Sequence, residues 1–173
     1  MKKMIIVALM AVTGLVAMSA ESKNNNPELL AISLIAKYEG FRSTVYKCPG
    51  GRTTIGYGFA DPDIVAKGTI TRKEADRILG KMVRSNLKFI RTKLPGLTPS
   101  QQAAVCSFVH NFGRQGLLNS TYYKMLKAGK YAQARVECMK WVHVKKWNSK
   151  TNQYDSVVLK GLVSRRSHEC RYL

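Results

Sequence analysis

Leu29, Leu30, Leu34, Ile35 and Tyr38 recur at helical spacing and form a roughly continuous apolar face. Asn26, Pro27 and Glu28 precede them as an N-cap, a first-turn proline and a first-turn acid, and Gly40 follows as a stop. The pattern predicts a helix that ends at Glu39. Over 43–60 the character changes: β-branched and aromatic residues surround Pro49-Gly50-Gly51, with further glycines at positions 56 and 58. That segment predicts a hairpin or small sheet with tight turns. Thr71-Arg72-Lys73-Glu74 is a capping box that opens a helix to about Lys93, ended by Pro95-Gly96. Thr98-Pro99-Ser100-Gln101 repeats the device and opens a buried helix carrying Ala104, Val105, Phe108, Val109 and Phe112, with Gly113 as its end. Shorter helices are expected over 120–128, 131–142 and 162–171. The fold class is therefore α+β, with one helix, a small sheet, a long helix and a helical lobe.

The first twenty positions follow a different rule. Lys2 and Lys3 precede the uncharged run from Met4 to Ala20, which ends in small residues and is followed by the polar ESKNNN. This is the pattern of a secretory signal peptide over 1–20, the rival being an uncleaved signal anchor. Residues 21–173 are expected to form one domain: a small β-containing lobe over about 27–75, a linking helix over about 72–93 and a helical lobe over about 95–173. Export into an oxidising compartment would allow Cys48, Cys106, Cys138 and Cys170 to pair, in three full connectivities.

Charge narrows the partners. The 173 residues carry 29 Lys and Arg against 10 Asp and Glu, a net +19, while the hydrophobic share of 45% is that of a globular protein. Such a surface suits nucleic acid, phospholipid headgroups or an acidic wall polymer. The stripe Lys81, Arg84, Lys88 and Arg91 reads as a solvated helix face, and export without a nucleic-acid motif argues against nucleic acid.

The ten acids can be weighed singly. Glu28, Glu74 and Asp76 suit first turns of helices. Asp61, Asp63 and Asp155 suit loops, Glu21 the start of the mature chain, and Glu137 and Glu169 local pairs on basic helices. Glu39 is different, because it ends an apolar helix and leads into the glycine-rich sheet. Desolvation and the helix dipole both favour its protonated form there, the form a general acid needs. Eight residues separate it from Cys48 and five separate Cys48 from Thr54, within YEGFRSTVYKCPGGRTTIGYG.

This pattern resembles the phage-type lysozymes (glycoside hydrolase family 24), whose site is a Glu, then an Asp or Cys, then a Thr at those spacings. Thr54-Ile55-Gly56-Tyr57-Gly58, Ser107-Phe108-Val109-His110-Asn111-Phe112-Gly113 and Gly161-Leu162-Val163-Ser164-Arg165-Arg166 resemble further motifs of that family. The resemblance runs in order over about 27–171. It implies a lysozyme-like fold and an exported hydrolase, periplasmic or extracellular, that cuts peptidoglycan between N-acetylmuramic acid and N-acetylglucosamine. Its roles would be cell-wall lysis, remodelling or antibacterial attack. Glu39 would be the catalytic acid, with Thr54 and Cys48 holding the attacking water in an inverting mechanism. Tyr57, Asn111, Arg165 and Arg166 would bind substrate or support the site, either Arg165 or Arg166 reaching Glu39. A disulfide through Cys48 would be one way to hold the enzyme inactive. Phe59 departs from the family, which has a His there in a structural ion pair.

No cofactor or metal is expected, nor a partner beyond peptidoglycan, and the chain reads as a monomer that meets a membrane only through a retained anchor. Cys106 and His110, with Cys138 and His143, match no tight zinc spacing and read as core or disulfide residues; Cys138 with Cys170 is the pair singled out for a bridge. The competing function is a non-catalytic, cationic wall- or membrane-binding protein on the same scaffold.

Overall fold

A computed structural model describes residues 25–48 and 51–173, so the leader expected over 1–20 and the Pro49-Gly50 turn lie outside the described residues. Helix α1 (Pro27–Glu39) starts where Asn26 Oδ1 accepts from the backbone N–H of Glu28 at 2.9 Å and of Leu29 at 3.3 Å. It stops at Gly40, whose φ of 63° suits a glycine. Its buried face is Ala31, Leu34 and Ile35, whereas Leu29 points to solvent.

Strands β1 (Arg42–Lys47) and β2 (Thr53–Gly56) pair antiparallel, with Tyr46 opposite Thr54 and an irregularity between Arg42 and Tyr46. The bridge from Thr44 to Thr69 ties this hairpin to the approach to the next long helix. Asp61, read as a loop residue, caps the short helix α2 (Pro62–Val65). Phe59 is buried, and its ring meets Tyr57 edge-on at 6.2 Å. The position at which the family resemblance implies an ion-paired histidine is thus filled by packing.

Helix α3 (Arg72–Lys93) begins with Thr71 Oγ1 accepting from the Glu74 N–H. It buries Ala75, Leu79, Val83, Leu87 and Ile90, one stripe at helical spacing. Helix α4 (Pro99–Leu118) carries a complete capping box: Gln101 N–H donates to Thr98 Oγ1 at 3.3 Å and Thr98 N–H donates to Gln101 Oε1 at 3.0 Å. Its backbone leaves helical geometry at Gly113 (φ 79°, ψ 165°), the expected end, then resumes helix to Leu118. Helices α5 (Thr121–Lys127) and α6 (Tyr131–Met139) follow.

The region after α6 departs from expectation. In place of a helix to 142 and a polar loop, strands β3 (His143–Asn148) and β4 (Gln153–Val158) form a second antiparallel hairpin, and Asp155 sits on β4. The apolar spacing explains this: Val142 and Val144 alternate with His143 and Lys145, a period of two that no helix can bury on one face. Helix α7 (Lys160–Glu169) and a 3₁₀ turn (Cys170–Tyr172) end the chain. Among the described residues no helix is long and apolar enough to cross a membrane.

Apart from the second hairpin, the order of elements is the expected α+β one, and α1 packs against both α3 and α4. Phe108 centres the helical lobe, with ring contacts to Tyr122 at 4.9 Å, Phe112 at 5.2 Å and Trp141 at 5.3 Å. Phe108→Ala should lower unfolding free energy by about 3–5 kcal/mol, as a fully buried ring is replaced by a cavity. Urea unfolding measures it, and a loss under about 1 kcal/mol would contradict this packing.

Candidate active site

The end of α1 meets the first hairpin, α4, β3 and α7 at one cleft of about 520 Å³. Glu39 lines it, with Tyr46, Cys48, Arg52 and Thr54 from the first hairpin and its turn, and His110 and Asn111 from α4. Val144, Leu159, Gly161, Leu162 and Arg165 complete the wall from β3 and the start of α7. A larger hollow, about 630 Å³, lies at the start of α1 between Asn25 and Arg91 and holds none of the candidate residues.

Arg165 organises the cleft. Its side chain is 3% exposed, and Nη1 donates to Glu39 Oε1 at 2.6 Å. Nη2 donates to the Ser107 carbonyl at 3.1 Å, and Nε lies 3.3 Å from both Ser107 Oγ and Glu169 Oε1. Ser107 Oγ donates to the same Glu169 oxygen at 2.6 Å. One guanidinium therefore joins the end of α1 to α4 and to its own helix.

Arg166, the other arginine considered for Glu39, turns away from the cleft. It is wholly buried, donates to Glu169 Oε1 at 2.8 Å and lies over the rings of Phe108 at 5.0 Å and Phe112 at 5.2 Å. Burial pushes the Glu169 carboxyl up from its ordinary range, against the pull of Arg166 and then Arg165. Glu169 pairs with its helix neighbours as expected; its complete burial behind the cleft is new.

His110 is the site residue that sequence reasoning left without a function. Its Nε2 lies 3.7 Å from Glu39 Oε1 and its side chain is 5% exposed. Desolvation lowers its pKa below the ordinary value, with the Glu39 charge acting the other way, so the ring is neutral near neutral pH. The available signal was helical spacing: Ser107, His110 and Asn111 stand three and four apart on one face of the predicted helix.

Gly58 approaches Glu39 so closely, at a φ of 77°, that an added Cβ would stand 3.0 Å from Oε2. Thr54 is buried and its Oγ1 donates to the Tyr46 carbonyl at 3.4 Å. Tyr57 is buried beneath the cleft, not lining it: its hydroxyl donates to Asp76 Oδ1 at 2.7 Å and accepts from Arg72 at 3.1 Å. Tyr38 ties α1 to α7 by donating to the Ser164 carbonyl at 3.1 Å.

The four cysteines are free, and Cys48 is half-buried in the cleft wall. Cys106 is buried in the core, which pushes its thiol up to about 12. Cys138 is buried on α6, and the Cys170 thiol in the final turn donates to the Arg135 carbonyl at 3.6 Å. Among the described residues no group of three His, Cys, Asp or Glu is arranged to hold a metal ion.

Because His110 takes up a proton less readily when folded than when unfolded, the unfolded chain binds more protons just below the ordinary value of 6.5. The stability this neutral ring contributes is complete above that pH and lost as pH falls. In melts between about pH 8 and pH 5, the native protein should lose more stability than His110→Gln, and parallel curves would contradict it.

Comparison with known proteins agrees with this architecture. The Phage lysozyme family model matches residues 36–169. An "Endolysin" of Acyrthosiphon pisum secondary endosymbiont phage 1 is 36% identical over 138 residues, covering 79% of this chain and 89% of that protein. The muramidase domain of SpmX from Asticaccaulis excentricus superposes with a TM-score of 0.70 at 25% identity, over 82% of this chain and 92% of that one. An endolysin from Escherichia coli O157:H7 phage FAHEc1 shares the fold, with a TM-score of 0.69 at 23% identity over 83% of this chain and 89% of that one. The chain belongs to the phage lysozyme family, whose membership supports peptidoglycan hydrolysis as its class of activity.

Proposed function

We propose that this protein is a muramidase that cleaves the β-1,4 bond between N-acetylmuramic acid and N-acetylglucosamine, with inversion at the anomeric carbon. The observation that carries this reading is the gathering of Glu39, Cys48 and Thr54 in one cleft, with Arg165 fixed on the acid. Glu39 gives its proton to the departing glycosidic oxygen as the bond to the anomeric carbon breaks. Water attacks that carbon from the opposite face, held by the Thr54 hydroxyl and the Cys48 thiol. Glu39 is the one carboxylate lining the cleft among the described residues, so the proton of the attacking water passes to solvent. Arg52 gives the cleft wall a positive charge that suits the carboxylates of peptide stems. Asn111 binds substrate from α4, while Tyr57 supports the turn from beneath. Arg166 acts further back, against Glu169. Export by the 1–20 leader brings the enzyme to the wall, in the periplasm or outside the cell.

Glu39→Gln keeps the shape of the acid and removes its proton, so hydrolysis of purified peptidoglycan should fall by about 10²–10⁴-fold. Muropeptides from the native digest should end in reducing muramic acid. Full activity in the variant would overturn the assignment of the acid and favour a different site. Anhydro-muramyl products would instead identify a lytic transglycosylase.

A further inference from the structure

The second hairpin stands partly free of the body. Its base joins the cleft through Val144 on β3 and Leu159 just after β4, and beyond that its strands mainly pair with each other. The register sorts its side chains into two faces, since antiparallel partners point the same way and faces alternate along each strand. One face holds the pairs Val144–Val157, Lys146–Asp155 and Asn148–Gln153. Val144, Val157 and Asn148 are the hairpin's half-buried residues, so this face turns toward the protein. It also holds the hairpin's acid, Asp155, opposite Lys146 and bonded by Asn148 Nδ2 at 2.7 Å.

The other face holds His143–Val158, Lys145–Ser156 and Trp147–Tyr154. Trp147 is 49% exposed, Tyr154 64% and Val158 50%, three of the most exposed large apolar side chains among the described residues. The two rings meet edge to face with centroids 5.1 Å apart. The face carries Lys145 and no acid, and Lys150 follows in the turn. Burial in the fold does not explain these rings, because nothing covers them among the described residues. A substrate in the cleft does not explain them either, because the hairpin residue that lines the cleft is Val144, on the opposite face.

Tryptophan and tyrosine have an apolar body and one polar group, which suits the boundary between bilayer headgroups and chains. Lysine beside them attracts anionic headgroups. We propose that the outward face of the β3–β4 hairpin docks on an anionic phospholipid membrane, with Trp147 and Tyr154 seated at the headgroup level and Lys145 paired with phosphate. Charge complementarity selects this occupant: an acid-free apolar face on a chain of net +19. Membrane contact then belongs to the folded domain and does not depend on residues 1–20. The inference is independent of the catalytic assignment, since none of these three residues lines the cleft.

The test uses vesicles of phosphatidylcholine with and without phosphatidylglycerol, read by intrinsic fluorescence and co-sedimentation. Trp141 is packed against Phe108 and Phe112, so a shift of emission to shorter wavelength reports Trp147. The native protein should bind and shift with phosphatidylglycerol vesicles and not with phosphatidylcholine alone. Trp147→Ser with Tyr154→Ser should bind at least about tenfold more weakly. Lys145→Gln, an exposed change that leaves the fold intact, should bind about fivefold more weakly. Both variants should hydrolyse purified peptidoglycan at the native rate, which also shows that they are folded. Unchanged vesicle binding in the double variant, or no vesicle binding by the native protein, would overturn the proposal. So would retained vesicle binding with lost binding to purified peptidoglycan, which would make the face a glycan site.

Discussion

The contact between Arg165 and Glu39 is the one on which the site depends. It spans the sequence from the end of α1 to α7, and its guanidinium is held on the other side by Ser107 of α4 and by Glu169. A buried guanidinium in an apolar lobe is costly unless its charge and donors are met. Here it is met by two carboxylates and a backbone carbonyl, and only one of those carboxylates faces the cleft. Helix α7 thus dictates where the acid at the end of α1 points. Gly58 closes on the acid from the hairpin side, where any side chain would crowd it.

The same arithmetic explains the pair of arginines. Arg165 and Arg166 are adjacent on α7 and so face in different directions, one to the cleft and one into the aromatic core. Both lean on Glu169, so a single buried acid neutralises much of two cations. Among the described residues Arg166 Nε and Nη1 and Glu169 Oε2 have no hydrogen-bond partner, and they mark where the interior accepts polar groups to hold the cleft in shape.

Helix starts and stops could be read closely from the chain because their causes are local. Asn26, Thr71 and Thr98 each cap a helix within three residues, and Gly40 and Gly113 break the backbone where expected. The second hairpin could not be read that way. Its strands mix Lys145-Lys146 and Asp155 into the apolar pattern, and little of it is buried, so the period of two is faint. Glu39, Cys48 and Thr54 could be singled out as candidates because they lie close in sequence, between the end of α1 and β2, at spacings that resemble those of the phage-type lysozymes. Glu169 was not, since helical spacing explains its pairing with Arg165 and Arg166 without revealing that both lie inside the protein. The roles of His110 and Tyr57 depend on contacts between distant segments, which no local pattern encodes.

If Arg165 serves hydrolysis by holding Glu39, the two residues act as one unit and their substitutions cannot add. The direct measurement is a double-mutant cycle on turnover of purified peptidoglycan, with Glu39→Gln, Arg165→Met and both together. Arg165→Met should be strongly impaired in the native background and cause no further loss in the Glu39→Gln background. Losses that multiply in the double variant would show that Arg165 acts independently of the acid, and would contradict the coupling of α1 and α7 through this contact.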